Sequence, residues 1–479
     1  MKTRMHLFKH TFTVLSIMCC LLLGSTSIIY AIGELGSNTF YSDFNSKQSS
    51  SKVNGIVEPS DTTVAAATNT ETNSTEATAT NTAATSTENT STNAVSNSTA
   101  ASPTSENNSS DKAATTDPAV TTENQASPSQ DVPPASILIT AVGDLMAHQG
   151  NLNNAYTPKT GTYNFNGFLE YVKPYLTKSD LTIGNFETVT AGPSSGYTSY
   201  PSFNTPDAML TALSNAGFDV LSTANNHCLD KGVNGLTRTI KKIEENKMIN
   251  VGSSVDGKNK YITKEINSIK VSILSYSSAF NGNDASLNSK QKIKYLSPIN
   301  ETRIKSDIET VKAKGTDSII VIMHWGTEYQ REPNATQTSL SKKILSWGAD
   351  IILGSHPHVV QKSEIIKVND KDKFVIYSMG NFISGYRRSD KAKRPNKIYT
   401  EDGVIVQLQI EKDPKGGVNI KKTDYIPTWV DKTYVNNRPV FKIIPIPSPN
   451  ITGAYITNYN RNFIKQSYKN TMDIMTKVK

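Results

Sequence analysis

The sequence predicts an α/β sandwich set behind a membrane segment and a long disordered linker, and three observations predict it. From Ser136 onward, short β-branched apolar runs alternate with helical patterns in the order strand, polar motif, helix, strand, which is how α/β layers are written in a sequence. Each polar motif follows the carboxyl end of its strand. That edge of an open α/β sheet is where ligands bind, so motifs far apart in sequence can converge on one cleft. Before Ser136 no such periodicity exists.

Lys2, Arg4 and Lys9 precede an almost uncharged stretch over 12–32, long enough to cross a bilayer that takes about 20 apolar residues. The positive flank puts residues 1–11 in the cytoplasm. Ile29-Tyr30-Ala31 is a mediocre cleavage site, so the expectation is an uncleaved single-pass anchor in the cell membrane with an extracytoplasmic domain. Secretion after signal cleavage is the alternative. Residues 33–134 form a Ser/Thr/Ala/Asn-rich linker too poor in apolar side chains to offset chain entropy, and they read as disordered. Outside the membrane segment Cys228 is the one cysteine, which excludes an intrachain disulfide in the ectodomain.

The folded part is placed at 135–430, with 431–479 as its C-terminal extension. Ser136 to Val142 reads as a strand delivering Gly143-Asp144-Leu145-Met146-Ala147-His148. A helix is predicted over Asn166 to Leu176, then a strand over Leu181 to Ile183 ending in Gly184-Asn185-Phe186-Glu187. Thr205 as N-cap, Pro206 at the first helical position, Asp207 in the first turn and Gly217 as the stop mark the next helix. Asp219 to Ala224 is a strand leading into Asn225-Asn226-His227-Cys228-Leu229-Asp230, and a helix to Glu245 follows. Ser318 to Met323 feeds His324-Trp325-Gly326-Thr327-Glu328, and Thr336 to Trp347 is a helix stopped by Gly348. In Asp350 to Gln361, Gly354 is expected to turn the backbone tightly. His356 and His358, on either side of Pro357, then occupy a rigid extended loop. Lys373 to Ser378 leads into Met379-Gly380-Asn381-Phe382. Strands over Val404 to Ile410 and Val418 to Ile426 come next, and a helix from Ile451 closes the chain.

Of seven histidines, His6 and His10 fall in the targeting segment, while His148, His227, His324, His356 and His358 all lie in polar motifs after apolar runs. With Asp144, Asn185, Glu187, Asn226, Asp230 and Glu328 they offer imidazole, carboxylate and amide groups without a thiolate cluster. Such a set suits one or two divalent ions of manganese, iron or zinc. A carboxylate bridging two ions about 3.5–4 Å apart fits a two-metal hydrolase. Read singly, Asn185 and Asn226 are also good turn residues. His148, one helical turn beyond Asp144, belongs near the cleft rather than among the ligands. Trp325, Phe382 and Cys228 read as packing groups.

The motifs Gly-Asp-Leu-Met at 143–146, Gly-Asn-Phe-Glu at 184–187, Asn-Asn-His at 225–227 with Asp230 and Gly232, and His-Trp-Gly at 324–326 with Glu328 and Tyr329 form the first part of a series. Gly-Ser-His-Pro-His at 354–358 and Ser-Met-Gly-Asn-Phe at 378–382 complete it. The series resembles the CapA family of capsule and poly-γ-glutamate synthesis proteins over residues 137–390. That family in turn resembles the calcineurin-like metallophosphoesterases. The resemblance implies a four-layer αββα sandwich with a dinuclear site. Asp144, Asn226, His324, His356 and His358 would be ligands and Glu187 would stand near the bridging-acid position. His227 would be the acid facing the leaving group, with Asp230 close enough to orient its ring. Asn185, Glu328, His148 and Asn381 would support the site. Two positions depart from the phosphoesterase pattern: Met146 stands where those enzymes have a histidine, and Asn185 where they have an aspartate.

Of the 50 Lys+Arg and 42 Asp+Glu, residues 1–134 hold 6 and 12, leaving 44 and 30 and a net charge of +14 on the rest. A basic exported domain suits an anionic polymer such as polyglutamate, or is a solvated lysine-rich surface; nucleic acid is excluded as a partner by location and the lack of a binding module. Two functions compete. One is a metal-dependent hydrolase of a phosphoester or a surface-polymer bond. The other is a non-catalytic subunit holding the polymer or a membrane synthase complex. ATP-driven polymerisation itself is excluded by the lack of a Walker A pattern.

Overall fold

The computed structural model describes residues 134–475 apart from 259, 390–394 and 414–416. The membrane segment and linker expected over 1–133 lie outside the described residues. Among those described, no helix is long and apolar enough to cross a membrane.

The elements in chain order are β1 (Ser136–Leu145), α1 (Gln149–Ala155), a small hairpin of β2 (Tyr156–Thr157) and β3 (Thr162–Tyr163), α2 (Asn166–Leu169), α3 (Lys173–Leu176), β4 (Leu181–Asn185), α4 (Ala208–Asn215), β5 (Val220–Ser222) and α5 (Gly232–Glu245). There follow β6 (Ile249–Val251), β7 (Ile262–Ile266), β8 (Ile269–Ser277), α6 (Ser289–Tyr295), α7 (Glu301–Ala313), β9 (Ser318–His324), α8 (Ala335–Trp347) and β10 (Ile351–Ser355). The chain closes with β11 (Ser363–Val368), β12 (Lys371–Ile376), β13 (Asn381–Ile383), β14 (Asp402–Lys412), β15 (Val418–Val435), β16 (Arg438–Pro445) and α9 (Arg461–Met475).

The strands form two large sheets, one in the order β16-β15-β14-β1-β4-β5-β6 with β13 beside β1, the other in the order β11-β12-β10-β9-β8-β7. β1, β4, β5 and β6 run parallel, as do β8, β9, β10 and β12. Side chains alternate across each sheet, so β9 sends Ile320 and Ile322 into a cluster with Ile139, Ile183, Leu353 and Val406 between the sheets. Its Ile319, Val321 and Met323 face the opposite way, against Ile304 and Ile308 of α7 and Leu340 and Ile344 of α8. On the far side of the other sheet, Val142 and Leu221 meet Phe168, Leu176, Met209 and Leu213 from α2, α3 and α4. The succession is helices, sheet, sheet, helices. Strands buried on both faces need no polar alternation, which is why β9 reads Ser-Ile-Ile-Val-Ile-Met-His.

Several local expectations are corrected. The helix expected over Asn166 to Leu176 is two single turns, because Pro174 has no N–H to bond the carbonyl four residues back. α4 begins at Ala208 rather than Pro206: the Thr205 hydroxyl pairs with that of Thr188 at 2.8 Å and Asp207 ion-pairs with Arg238 at 2.7 Å, so neither caps the helix. β1 runs on to Leu145, which makes His148 the residue preceding α1 instead of one lying a helical turn beyond Asp144. The closing helix starts at Arg461, ten residues later than expected, after a loop containing Pro449 and Gly453. β15 runs across position 430.

Gly354 does not turn the chain. It lies inside β10, where a Cβ would sit 1.9 Å from the Tyr377 carbonyl oxygen, so its role is to let two backbones approach. The bend comes after it. His356 and His358 have φ of 96° and 57°, left-handed rather than extended. Surrounding bonds hold this strained loop: the Tyr329 N–H donates to the Pro357 carbonyl at 2.8 Å, and Asn381 Nδ2 donates to the His358 carbonyl at 3.2 Å.

Candidate metal centre

Parallel strands deliver their carboxyl ends to one place from both sheets. Asp144 ends β1, Asn185 ends β4 and His324 ends β9, while Glu187, Asn226, His356 and His358 lie within a few residues of the ends of β4, β5 and β10. Asp144, Glu187 and His324 are fully buried.

The contacts are specific. Asp144 accepts from Asn185 Nδ2 at 2.8 Å and faces His358 Nδ1 at 3.0 Å. Asn185 Nδ2 also lies 3.3 Å from Glu187 Oε2, so its amide ties the two carboxylates together. Glu187 Oε1 lies 3.7 Å from His324 Nε2 and 3.8 Å from His358 Nε2. Asn226 Oδ1 is 3.0 Å from His324 Nε2, placing an amide oxygen beside an imidazole nitrogen. The ring centres of His324 and His356 are 4.7 Å apart. Ligand atoms of Glu187, His324 and His356 lie within 4.8 Å of one another, and so do those of Asp144, Glu187 and His358. Glu187 belongs to both groups.

These residues fit a pair of divalent cations on a further observation. Glu187 Oε1 and His356 Nδ1 are buried without any hydrogen-bond partner. An orphaned buried acceptor costs about 1–3 kcal/mol, and cations held at the two groups would relieve that cost. Protonation follows the same geometry. Burial, and then the charge of Asp144, holds the Glu187 carboxyl well above the usual range. Burial pushes His356 down to about 4 and holds His324 well below its ordinary value. Burial is the largest influence on His358 and disfavours its charge, yet the hydrogen bond to Asp144, the charges of Asp144 and Glu328 and the hydrogen bond to Asn381 together outweigh it and raise the group.

His227 stands apart from both groups. Its Nδ1 lies 2.8 Å from Asp230 Oδ2, which also accepts from the Phe203 N–H at 2.7 Å, so Asp230 orients the ring as the sequence suggested. Asn381 sits at the start of β13 with Oδ1 3.2 Å from His358 Nδ1 and Nδ2 bonded to the Thr400 carbonyl at 2.9 Å, which fixes the His358 loop. Glu328 joins neither group, although its charge bears on His356 and His358. His148 joins neither group and packs between Phe203 and Tyr386. Trp325 and Phe382 are packed in the interior, and burial pushes the Cys228 thiol up to about 12.

Sequence reasoning missed Asn225, whose Nδ2 donates to the Phe186 carbonyl at 2.9 Å and whose Oδ1 accepts from the His227 N–H at 3.2 Å. It also missed Asn281, which lies beyond the end of β8 in no motif; its Oδ1 accepts from Asn226 Nδ2 at 3.2 Å. Looking past the end of every parallel strand would have found it.

The fold and these side chains define an α/β protein with a buried imidazole–carboxylate centre whose side chains fit divalent cations. Residues 138–386, more than half of the chain, match the family described as "Bacterial capsule synthesis protein PGA_cap", and the chain belongs to that family. It is 31% identical over 287 residues to the capsule biosynthesis protein CapA of Bacillus anthracis, covering 57% of this chain and 64% of that one, a little under two thirds of its length. It is 28% identical over 307 residues to the PGA biosynthesis protein CapA of Bacillus subtilis, covering 62% of this chain and 72% of that one. Among solved structures, the calcineurin-like phosphoesterase YfkN of Bacillus subtilis aligns with a TM-score of 0.40 at 16% identity, over 71% of this chain and 99% of that one. The NAD nucleotidase of Haemophilus influenzae aligns with a TM-score of 0.39 at 13% identity, over 70% and 62%. Scores at this level say nothing of what this chain does.

Proposed function

We propose that this protein is a cell-surface component of capsule or poly-γ-glutamate assembly, anchored through residues 12–32, whose centre hydrolyses a phosphoester or a related bond with the help of one or two divalent cations. The observation that carries the reading is the position of Glu187, buried, shared by two ligand groups and left with one oxygen unpartnered. Cations of manganese, iron or zinc, when bound, lower the pKa of a water and neutralise charge developing on the substrate. Asp144 and His358 would hold one, His324, His356 and Asn226 the other, and Glu187 both. His227 gives the leaving group its proton, and Asp230 fixes the ring through Nδ1 and leaves Nε2 to carry the transferred proton.

A second reading is a weakly catalytic or non-catalytic subunit that holds the polymer or a membrane synthase complex. It is favoured by Met146 and Asn185, which replace a potential ligand and a charge at the centre, and by the net +14 on residues 135–479. Metal stoichiometry measured beside turnover of a phosphoester panel separates the two. Bound metal with turnover supports the hydrolase; bound metal without turnover of any ester supports the subunit.

A further inference from the structure

Beside His358 lie groups that neither candidate ligand group includes. The Lys397 ammonium lies 5.1 Å from the centre of the Tyr329 ring and 5.3 Å from that of Tyr386. Tyr386 is in turn 5.5 Å from the His358 ring and 4.7 Å from the His148 ring, while Tyr329 is 6.2 Å from His358. Lys397, Tyr386 and His148 each present a proton. The Tyr329 hydroxyl donates to that of Tyr386 at 3.2 Å, which leaves the Tyr386 proton for another acceptor. His148 Nδ1 accepts from the Gly385 N–H at 3.1 Å, so its own proton sits on Nε2, a buried atom with no partner.

Protonation agrees with the geometry. Burial, helped by the charges of His358, His227 and Lys397, pushes His148 down to about 3, so it is a neutral donor at any working pH. Burial likewise lifts the Tyr386 hydroxyl far above its ordinary value, and it keeps its proton. Lys397 is seated over aromatic faces rather than on a carboxylate, and among the described residues its ammonium forms no ion pair. A lysine held this way keeps its charge for an incoming anion. Glu328 bears on the same region, so this is not a general positive patch and any selectivity must come from contact.

We infer that Lys397, Tyr386 and His148 form an oxyanion-binding subsite beside the metal centre, so that the substrate carries a carboxylate or phosphate group next to the bond that is cleaved. This rests on the hydrolase reading for its catalytic consequence. The binding itself does not depend on that reading. The test uses the full chain loaded with metal and three p-nitrophenyl phosphodiesters whose second ester group is methyl, carboxyethyl or phosphoethyl. The wild type is expected to prefer a charged diester, and Lys397→Met to lower that preference in kcat/KM by about tenfold, as loss of a charged hydrogen bond would. Whichever charged diester loses more identifies carboxylate or phosphate as the natural group. Tyr386→Phe is expected to lower the same preference, and equal preference in wild type and both variants overturns the proposal. If no diester is hydrolysed, the hydrolase reading fails, and calorimetric binding of glutarate and of inorganic phosphate still decides the subsite. Weakening by about tenfold in Lys397→Met supports it, and unchanged affinity for both anions overturns it.

Discussion

His227 and His358 each face a carboxylate, yet the two carboxylates stand in different surroundings. Asp144 shares a ligand group with His358 and Glu187, whereas Asp230 belongs to neither group and is engaged by the Phe203 N–H. His227→Gln is therefore expected to keep near-normal metal content and to lose about 10² to 10⁴ in turnover, most on esters with poor leaving groups, since a good one departs without a proton. His356→Ala and His358→Ala should lose metal and turnover together, as metal analysis beside ester hydrolysis will show. If His227→Gln strips the metal, His227 is a ligand and the assignment fails. The pH dependence of metal binding follows from the same residues. Glu187 and His358 have raised values, so on descending pH they take up protons that a cation must displace, while His356 at about 4 and His324 below its ordinary value are already neutral. Affinity should fall as pH goes from about 8 to about 6. Calorimetry in buffers of different ionisation enthalpy reads the released protons, and a flat profile would contradict this account. The residues gathered at the centre were legible as candidates because a polar motif after an apolar run marks a strand's carboxyl end. Tyr386 and Lys397 were not, because they reach the cleft from chain that follows β13 and leaves no periodic trace.

At the scale of elements, the centre depends on how closely β10 and the segment after β12 can approach. A Cβ on Gly354 would meet the Tyr377 carbonyl oxygen at 1.9 Å, and one on Gly143 the Gly380 carbonyl oxygen at the same distance. Backbone cannot yield as a flexible side chain would, so Gly354→Ala should destabilise the folded domain by at least about 1–3 kcal/mol, read by denaturant unfolding. The variant should also lose metal, because the His356–His358 loop is carried on that strand; full metal content with unchanged stability would show that the strands can separate freely. The glycine was legible in the sequence, but its reason was not. Gly-Ser-His-Pro-His suggests a turn at the glycine, and the pairing of Gly354 and Ser355 with Met323 and His324 of β9 reveals that the backbone there is still strand. Pairing between strands is a property of the sheet, and a local pattern does not contain it. The same limit explains α4, whose predicted N-cap Thr205 and first-turn Asp207 were real hydrogen-bonding groups drawn to Thr188 and Arg238 instead.

At the scale of the whole molecule, the first described strand opens at Ser136. The Ala135 carbonyl accepts from the Lys412 N–H at 2.8 Å, and Ser136 pairs with Glu411, so nothing before residue 135 is needed for these contacts. A chain beginning at Ala135 should be soluble and melt cooperatively; aggregation relieved by restoring the linker would refute the boundary. The charge left on that truncated chain bears on its partner. With a net +14 and ion pairs such as Lys343–Glu301 and Lys422–Asp424 formed at exposed positions, the excess lysines act through solvent, where fields are screened over about 8 Å at physiological ionic strength and about 3 Å at 1 M. Polyglutamate should therefore bind the truncated chain at low salt and weaken steeply as salt rises, because each contact is an exposed lysine meeting a carboxylate. The subsite at Lys397 would survive this screening better, lying over Tyr329 and Tyr386 beside the buried His358. Affinity measured across a salt series should then fall to a residual level that Lys397→Met removes. Binding equal at low and high salt would count against capture by surface charge, and no binding at any salt would leave the lysines as a solvated surface.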